Sequence, residues 1–424
     1  MLDLKYIRNN PDIVKNAIKH KNETADVDGI LELDNKRRAI IAEVETLKQK
    51  RNSSSKEIAQ LKKKSEDTSV LIKAMKEVSD RIAGLDEELR EVESELQMQL
   101  LTVPNIPHQD VPVGQSENDN KILRHWGDKP AFDYKPRTHW ELGEILDIID
   151  LPAGAAVSGS GFPVLKGAGA KLQRALINFM LDMHTEQHNY TEVRTPYLVT
   201  RETITGTGQL PKLESDMYAT TDDLFLIPTA EVPVTNLNKN RILNIDQLPV
   251  YYTACTPCFR REAGSHGKDT RGLIRVHQFD KVEMVKICEP EHSYEELEIL
   301  LKEAEAVLQA LSLPYRVNLL CTADLSFAAA KCYDLEVYAT GVDNYLEVSS
   351  CSNFEDFQGR RANIRFKPTP DSKPEFVHTL NGSGLALPRT VIAIIENYQT
   401  REGRIRIPDA LKDYMNGIEF IGPA

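Results

Sequence analysis

Two long stretches near the N-terminus repeat their seam positions at alternating spacings of three and four. Ile30, Leu33, Arg37, Ile40, Val44, Leu47, Arg51, Ser54, Ile58 and Leu61 form one series; Leu71, Met75, Val78, Ile82, Leu85, Leu89, Val92 and Leu96 form the other. A mean spacing near 3.5 keeps one stripe of each helix facing a partner, so the pattern predicts two helices with a coiled-coil seam. The polar break at 62–69 is short, which favours an antiparallel hairpin. About 32 residues at a rise of about 1.5 Å each make an arm of roughly 45–50 Å. Arg37, Arg51 and Ser54 weaken the seam's packing but help set its register. Residues 3 to about 21 read as one short helix at the base of the arm, with Pro11 near its start. Pro104, Pro107 and Pro112 end the arm, and 104–135 reads as a connection rich in Pro, Gly, Asp and Asn.

After His139 the pattern changes to short strands, Gly-rich turns and occasional helices. Residues 170–188 predict an amphipathic helix with Leu172, Leu176, Phe179 and Met183 on one face. Residues 190–199 predict a strand, placed at an edge or interface because Pro196 cannot donate to a ladder. Further strands are expected at 224–230, 334–338 and 345–350, and helices at 292–311 and 384–398. Hairpin-type strands with few helices give an α+β class, a mainly antiparallel sheet flanked by helices. The expected division is 1–103 for the helical arm domain, 104–135 for a linker and 136–424 for the sheet domain. No P-loop or G-x-G-x-x-G pattern follows a strand, which disfavours those nucleotide folds.

A chain of 424 residues is too long for one ordinary core. No run of about 18 apolar residues occurs, so no membrane span is expected. The start, Met1 to Lys5, lacks the apolar core of a signal peptide, and the reading is cytoplasmic. Six sparse cysteines read as reduced thiols; Cys255 and Cys258 form a C-x-x-C pair with no partner pair, so no structural zinc is expected. The net charge of −12 argues against nonspecific nucleic-acid binding but hides a local contrast. Residues 36–64 hold ten Lys or Arg and three Glu, a balance of +7; residues 70–101 hold four and eight, a balance of −4. The helices either complement each other or leave the basic one for a phosphate backbone.

The most informative segment runs from Cys258 to Glu283. It reads as two strands joined by a Gly-rich loop. Alternation puts Arg260 and Glu262 on one face, and Arg275, His277, Phe279, Lys281 and Glu283 together on the return strand, with Ile274, Val276, Val282 and Met284 mainly behind. Guanidinium groups suit phosphates, a ring suits a base and carboxylates suit an ammonium group.

With these residues the chain resembles the bacterial-type seryl-tRNA synthetases, a class II aminoacyl-tRNA synthetase family, over essentially its whole length. The motifs are Phe259-Arg260-Arg261-Glu262 with Arg275-Val276-His277-Gln278-Phe279, Thr229-Ala230-Glu231, Glu347-Val348-Ser349-Ser350, and Asn381-Gly382-Ser383-Gly384-Leu385-Ala386 with Arg389, plus a dimer motif around Pro196. The resemblance implies a serine–tRNA ligase. Serine would be activated by ATP to seryl-adenylate with release of pyrophosphate, then passed to the 3′ end of tRNA(Ser), and of tRNA(Sec) where the organism has it. It implies catalytic Arg260, Glu262 and Arg389. It implies serine contacts from Thr229, Ala230, Glu231, Glu283, Asn381 and Ser383. The ATP stretch would be Arg260, Arg261, Glu262, Phe279, Glu347, Val348, Ser349, Ser350 and Arg389, with Arg261 as the variable middle position pointing away. Mg²⁺ would be held by Glu347 and Ser350, whose oxygens suit a hard cation. The arm would grip the long variable arm of tRNA(Ser) across a homodimer, with Lys48, Lys50 and Arg51 as the candidate contacts.

Selection of serine would rest on hydrogen bonds, because so small a substrate offers little apolar area. Alanine or glycine would leave buried groups unpaired at about 1–3 kcal/mol each. No protein nucleophile is required, and His266 and His277 read as loop and structural residues. One position departs from the family: its last motif usually has glycine where this chain has Pro388. Rival readings are a catalytically silent tRNA-binding relative, a coiled-coil scaffold and a synthetase of another specificity.

Overall fold

A computed structural model describes residues 1–263 and 271–423 of the chain. These form two compact units, one of residues 2–19 and 23–104, the other of residues 1, 20–22 and 105–424.

The first unit is helical. Asp3 caps α1, Leu4–Asn9, by accepting from the Tyr6 amide. The single helix expected over 3–21 is split at Asn10, because Pro11 opens α2, Pro11–His20, and pushes the preceding residue out of helical geometry. Two long helices follow, α3 (Val27–Lys63) and α4 (Ser69–Leu100). Asp26 caps α3 by accepting from Gly29 N. Every seam position named above is buried or half-buried, and Ile40, Val44, Leu85 and Val92 form its packed centre. The flanks pair across the seam: Lys36 with Glu88 at 3.0 Å, Arg37 with Glu93 at 2.9 Å and Arg81 with Glu43 at 2.8 Å. The complementary charge of the two helices is therefore used in part between them. Arg8 makes a two-point contact with the buried Asp34 at 2.7 and 3.0 Å, which ties α1 to α3.

The second unit is built on eight strands. They are β1 (Lys121–Trp126), β2 (Thr191–Glu192), β3 (Val250–Phe259), β4 (Gln278–Cys288), β5 (Tyr315–Leu319), β6 (Lys331–Ala339), β7 (Asn344–Asn353) and β8 (His378–Ala386). Their spatial order is β1-β5-β6-β7-β8-β4-β3-β2, antiparallel throughout except for β2 beside β3. The stretch expected as a connection, 104–135, thus supplies an edge strand. The strand expected at 190–199 is split on either side of Pro196: Thr191–Glu192 joins this sheet at its other edge, and Leu198–Thr200 pairs with Leu224–Leu226 in a separate two-stranded sheet, so Pro196 sits in neither ladder.

Four helices matter to the site: α5 (His139–Ile145), α6 (Gly167–Glu186), α7 (Ser293–Ala310) and α8 (Leu387–Asn397). Leu172, Leu176 and Met180 of α6, Leu297, Leu300 and Leu301 of α7, and Ile392 and Ile394 of α8 bury against Val282, Met284, Leu335 and Leu385 of the sheet. The period of two along each strand then leaves the alternate side chains for the opposite face. The helix expected from Gly384 begins at Leu387, since β8 continues to Ala386.

One charge lies inside this apolar layer. Lys286 on β4 is fully buried and held by Glu296 at 3.0 Å and Glu303 at 3.2 Å, both from α7. Burial raises the Glu303 carboxyl above its ordinary range, and the Lys286 charge offsets part of that. Replacing Lys286 by Met leaves two buried carboxylates without their cation. The expected outcome is a loss of about 3–5 kcal/mol from the unfolding transition of this unit in denaturant; an unchanged transition would exclude Lys286 as the bond between α7 and the sheet.

Candidate active site

The polar face of the sheet is hollowed into a cleft of about 430 Å³ over β7, β8 and β4, continued by the chain just beyond β3. Thr229, Glu231, Arg260, Glu262, Phe279, Glu347, Val348, Ser350, Asn381, Ser383 and Arg389 all line it. Residues scattered over 160 positions of sequence are brought together because β7, β8, β4 and β3 are consecutive neighbours.

One end is cationic. The Arg260 amide donates to His277 O at 2.9 Å, and its guanidinium lies 5.2 Å from the centre of the Phe279 ring. Arg275 pairs with Glu262 at 3.1 Å. Arg389, in the first turn of α8, donates to Glu347 O at 2.8 Å and to Ile274 O at 3.4 Å. Pro388, beside it, occupies the first turn of the helix, where an amide has no intrahelical acceptor. Proline at this position therefore removes no helical hydrogen bond.

The other end is a buried polar network around Glu283, which lies opposite Ser383 on β8. Glu283 is 1% exposed. It accepts from Thr229 Oγ1 at 3.1 Å and Asn381 Nδ2 at 2.7 Å, and pairs with Lys281 Nζ at 2.5 Å. It therefore sits behind the wall rather than on it. Glu231 reaches the cleft itself and accepts from Gln358 Nε2 at 2.6 Å. Burial first, and the charge of Glu283 second, push the Glu231 carboxyl up to about 7. Between the ends, Ser349 is turned inward and donates to Ser383 O at 2.7 Å, while Ala230 is buried. On the neighbouring strand Asp334 faces Ser350 and Glu336 faces Glu347. Burial, then the charge of Glu347, drive the Asp334 carboxyl well above its usual range.

Within the segment from Cys258 to Glu283 the structure departs from strand alternation. The return strand starts at Gln278, so 271–277 is not extended. Arg275, Phe279 and Lys281 line the cleft, but so do Ile274 and Val276, which alternation had placed behind. His277 turns away, packing on Phe162 with ring centres 5.2 Å apart, and its Nδ1 lies 3.1 Å from Arg260 O. Arg261 is exposed and lines no part of the cleft. His266 and the loop at 264–270 lie outside the described residues. Glu262 has a left-handed backbone, φ 51°, just past the end of β3.

Several residues in and behind the wall carried no sequence signal. Gln358, which orients Glu231, stands in an unremarkable helical turn. Ser326, Phe327 and Ala328 form one wall. Their backbone is held by Lys21, whose Nζ donates to Ser326 O, Phe327 O and Ala329 O at 2.8, 3.2 and 2.8 Å. Burial lowers Lys21 to about 7. Cys255 and Cys258 are free thiols, and burial pushes Cys255 up to about 12. Among the described residues no group of three or more His, Cys, Asp or Glu could hold a metal ion, and no helix is long and apolar enough to cross a membrane. In the arm unit Lys48 is exposed and 3.8 Å from Asp86, Lys50 is exposed, and Arg51 is half-buried in the seam.

Comparison with known proteins places this geometry. Residues 1–107 match the seryl-tRNA synthetase N-terminal domain, and residues 212–398 match the class II tRNA synthetase core domain (G, H, P, S and T). The serine–tRNA ligase of Geobacter sulfurreducens is 56% identical, with 100% of each chain covered. That of Heliobacterium modesticaldum is 57% identical over 100% of each. Among solved structures, the seryl-tRNA synthetase of Pyrococcus horikoshii complexed with ATP superposes with a TM-score of 0.95 at 40% identity, covering 100% of both chains. A Giardia lamblia prolyl-tRNA synthetase in complex with prolyl-adenylate shares the fold alone, at 13% identity, a TM-score of 0.56 and coverage of 65% of this chain and 56% of that one. With full-length relatives above half identity and both halves of the chain matched, the protein belongs to the seryl-tRNA synthetase family.

Proposed function

We infer that the cleft is where this serine–tRNA ligase joins serine to ATP and then hands it to tRNA. The observation that carries the reading is the convergence, in one cavity, of three guanidinium groups and an aromatic ring at one end with a carboxylate-lined hydrogen-bonding socket at the other.

In this reading Glu231 receives the substrate ammonium group. Thr229 and Ser383, beside Asn381, receive its hydroxyl, with Glu283 fixing the Thr229 hydroxyl and the Asn381 amide; Ala230 shapes the turn between them. Arg260 holds the serine carboxylate and the α-phosphate together. Phe279 carries the adenine, Glu262 its amino group, and Arg389 the γ-phosphate. The carboxylate oxygen attacks the α-phosphorus, the bond to the β-phosphate oxygen breaks and pyrophosphate leaves. A hydroxyl of the tRNA's terminal ribose then attacks the adenylate carbonyl, and AMP departs. The residues position reactants and offset phosphate charge, so no covalent enzyme intermediate is needed.

Glu347 and Ser350 fit a Mg²⁺ ion: their oxygens line the cleft beside Arg389, and Asp334 and Glu336 stand across from them on the next strand. Bound there with ATP, such an ion would offset charge on the phosphates. The arm, with Lys48, Lys50 and Arg51, would hold tRNA(Ser), and tRNA(Sec) where present, by phosphate and shape. It would do so across a homodimer in the cytoplasm.

Exchange of labelled pyrophosphate into ATP is expected with serine alone among the standard amino acids; exchange with another amino acid instead would overturn the assignment. The raised Glu231 carboxyl sets a pH dependence. A carboxyl raised to about 7 takes up a proton as pH falls through that value, and the protonated form cannot pair with an ammonium group. The KM for serine should therefore rise about tenfold from about pH 8 to about pH 6 while the KM for ATP changes little, and Glu231→Gln should flatten that profile. A flat wild-type profile would remove Glu231 from the ammonium site. Replacing Lys48, Lys50 and Arg51 together by Ala should raise the KM for tRNA with pyrophosphate exchange intact; an unchanged KM would take the arm residues out of the tRNA contact.

A further inference from the structure

The nucleotide end of the cleft is braced by a pair that touches none of it. His139, at the start of α5, and Glu396, near the end of α8, are both fully buried. Glu396 Oε1 accepts from the His139 amide at 2.8 Å and lies 2.7 Å from His139 Nδ1. Glu396 Oε2 accepts from the amides of Gly341 and Val342 at 2.8 and 3.0 Å. The far ring nitrogen, His139 Nε2, accepts from the Leu273 amide at 3.0 Å. A ring nitrogen that accepts carries no proton, so the proton sits on Nδ1 and points at Glu396.

Each group held this way leads to the cleft. Gly341 and Val342 form the turn between β6 and β7, and β7 carries Glu347 and Ser350. Leu273 lies in the irregular stretch 271–277 and lines the cleft together with Ile274 and Arg275. Glu396 stands about two turns along α8 from Arg389, which lies in the first turn of that helix. Gly272 shows how close the fit is. Its φ is +63°, and a Cβ there would lie 2.1 Å from His139 Nε2.

We propose that His139 and Glu396 are positioning residues for ATP: one buried carboxylate, partly through one imidazole, locks the 272–275 backbone, the β6–β7 turn and the Arg389 helix into a single rigid frame. Neither residue contacts a reactant. Their effect reaches the nucleotide through the Leu273 amide, which fixes where Ile274 O and the Arg275 side chain lie. Ile274 O in turn accepts from Arg389 Nε, and Arg275 pairs with Glu262. The socket around Glu231 and Glu283 uses neither residue, so the effect should be selective for ATP over serine.

The inference rests on the reading that this cleft binds ATP. Its test is steady-state pyrophosphate exchange, with ATP affinity measured directly by calorimetry, on the full chain and on His139→Leu, His139→Gln, Glu396→Gln and Gly272→Ala. His139→Leu should raise the KM and Kd for ATP about tenfold or more, with the KM for serine within about twofold. His139→Gln keeps an acceptor within reach of the Leu273 amide and should recover most of the loss. Gly272→Ala leaves the pair intact but forces its Cβ into the ring, and should reproduce the ATP-selective defect even if His139→Leu does not fold. An equal rise of both KM values, or an ATP affinity unchanged in a folded His139→Leu, would overturn the proposal. A wild type that binds ATP without serine-dependent exchange would fail the functional reading alone, and the ATP affinities would still decide this one.

Discussion

An antiparallel sheet that must bury one face against helices has only its other face to offer a ligand. That constraint organises the catalytic unit. Val282 and Met284 of β4 go into the apolar layer under α6, α7 and α8, so Lys281 and Glu283 go the opposite way. The same alternation on β8 turns Asn381 and Ser383 toward Glu283. Because β7, β8 and β4 are adjacent, their polar faces become one continuous floor, extended by the chain just beyond β3. Substrate chemistry is then a matter of which polar side chains stand where on that floor.

The floor is stiff where charge is most expensive. Glu283 is shielded from water and satisfied by Thr229, Asn381 and Lys281, so its position is fixed by its own network. At the other end Arg389 is anchored to Glu347 O and Ile274 O, and the frame around Glu396 fixes both supports. Such prior arrangement is what phosphate chemistry asks of a protein, since the developing charge is met by groups already in place.

Much of this was legible in the sequence. The heptad seam gave the two long helices and their antiparallel pairing, because a repeat of 3.5 has one physical solution when the connection is short. The residue types of the motifs at 229–231, 260–262, 347–350 and 381–389 pointed to phosphate, ammonium and base. Other features were hidden for identifiable reasons. The break at Asn10 depended on how one proline restricts its neighbour. Lys121–Trp126 looked like part of a connection because an exposed edge strand has no apolar pattern to betray it. Ile274, Val276 and His277 were assigned to the wrong faces because alternation holds only where the backbone is extended, and β4 begins later.

Local chemistry and periodicity thus decided the arm, the class of the fold and the kinds of ligand the polar residues suit, since each depends on spacing within a few turns or one strand. Which carboxylate would be exposed and which sealed was settled only by the packed sheet. Glu231 and Glu283 are the same residue type in similar motifs. One meets the cleft and is held near neutrality by burial and its neighbour, while the other is enclosed by three partners from β4, β8 and the 229–231 turn. The alliance of His139 with Glu396 spans 257 positions and carries no local signature. Burial and long-range hydrogen bonding are properties of neighbours in space, and only the closed sheet brings those neighbours together.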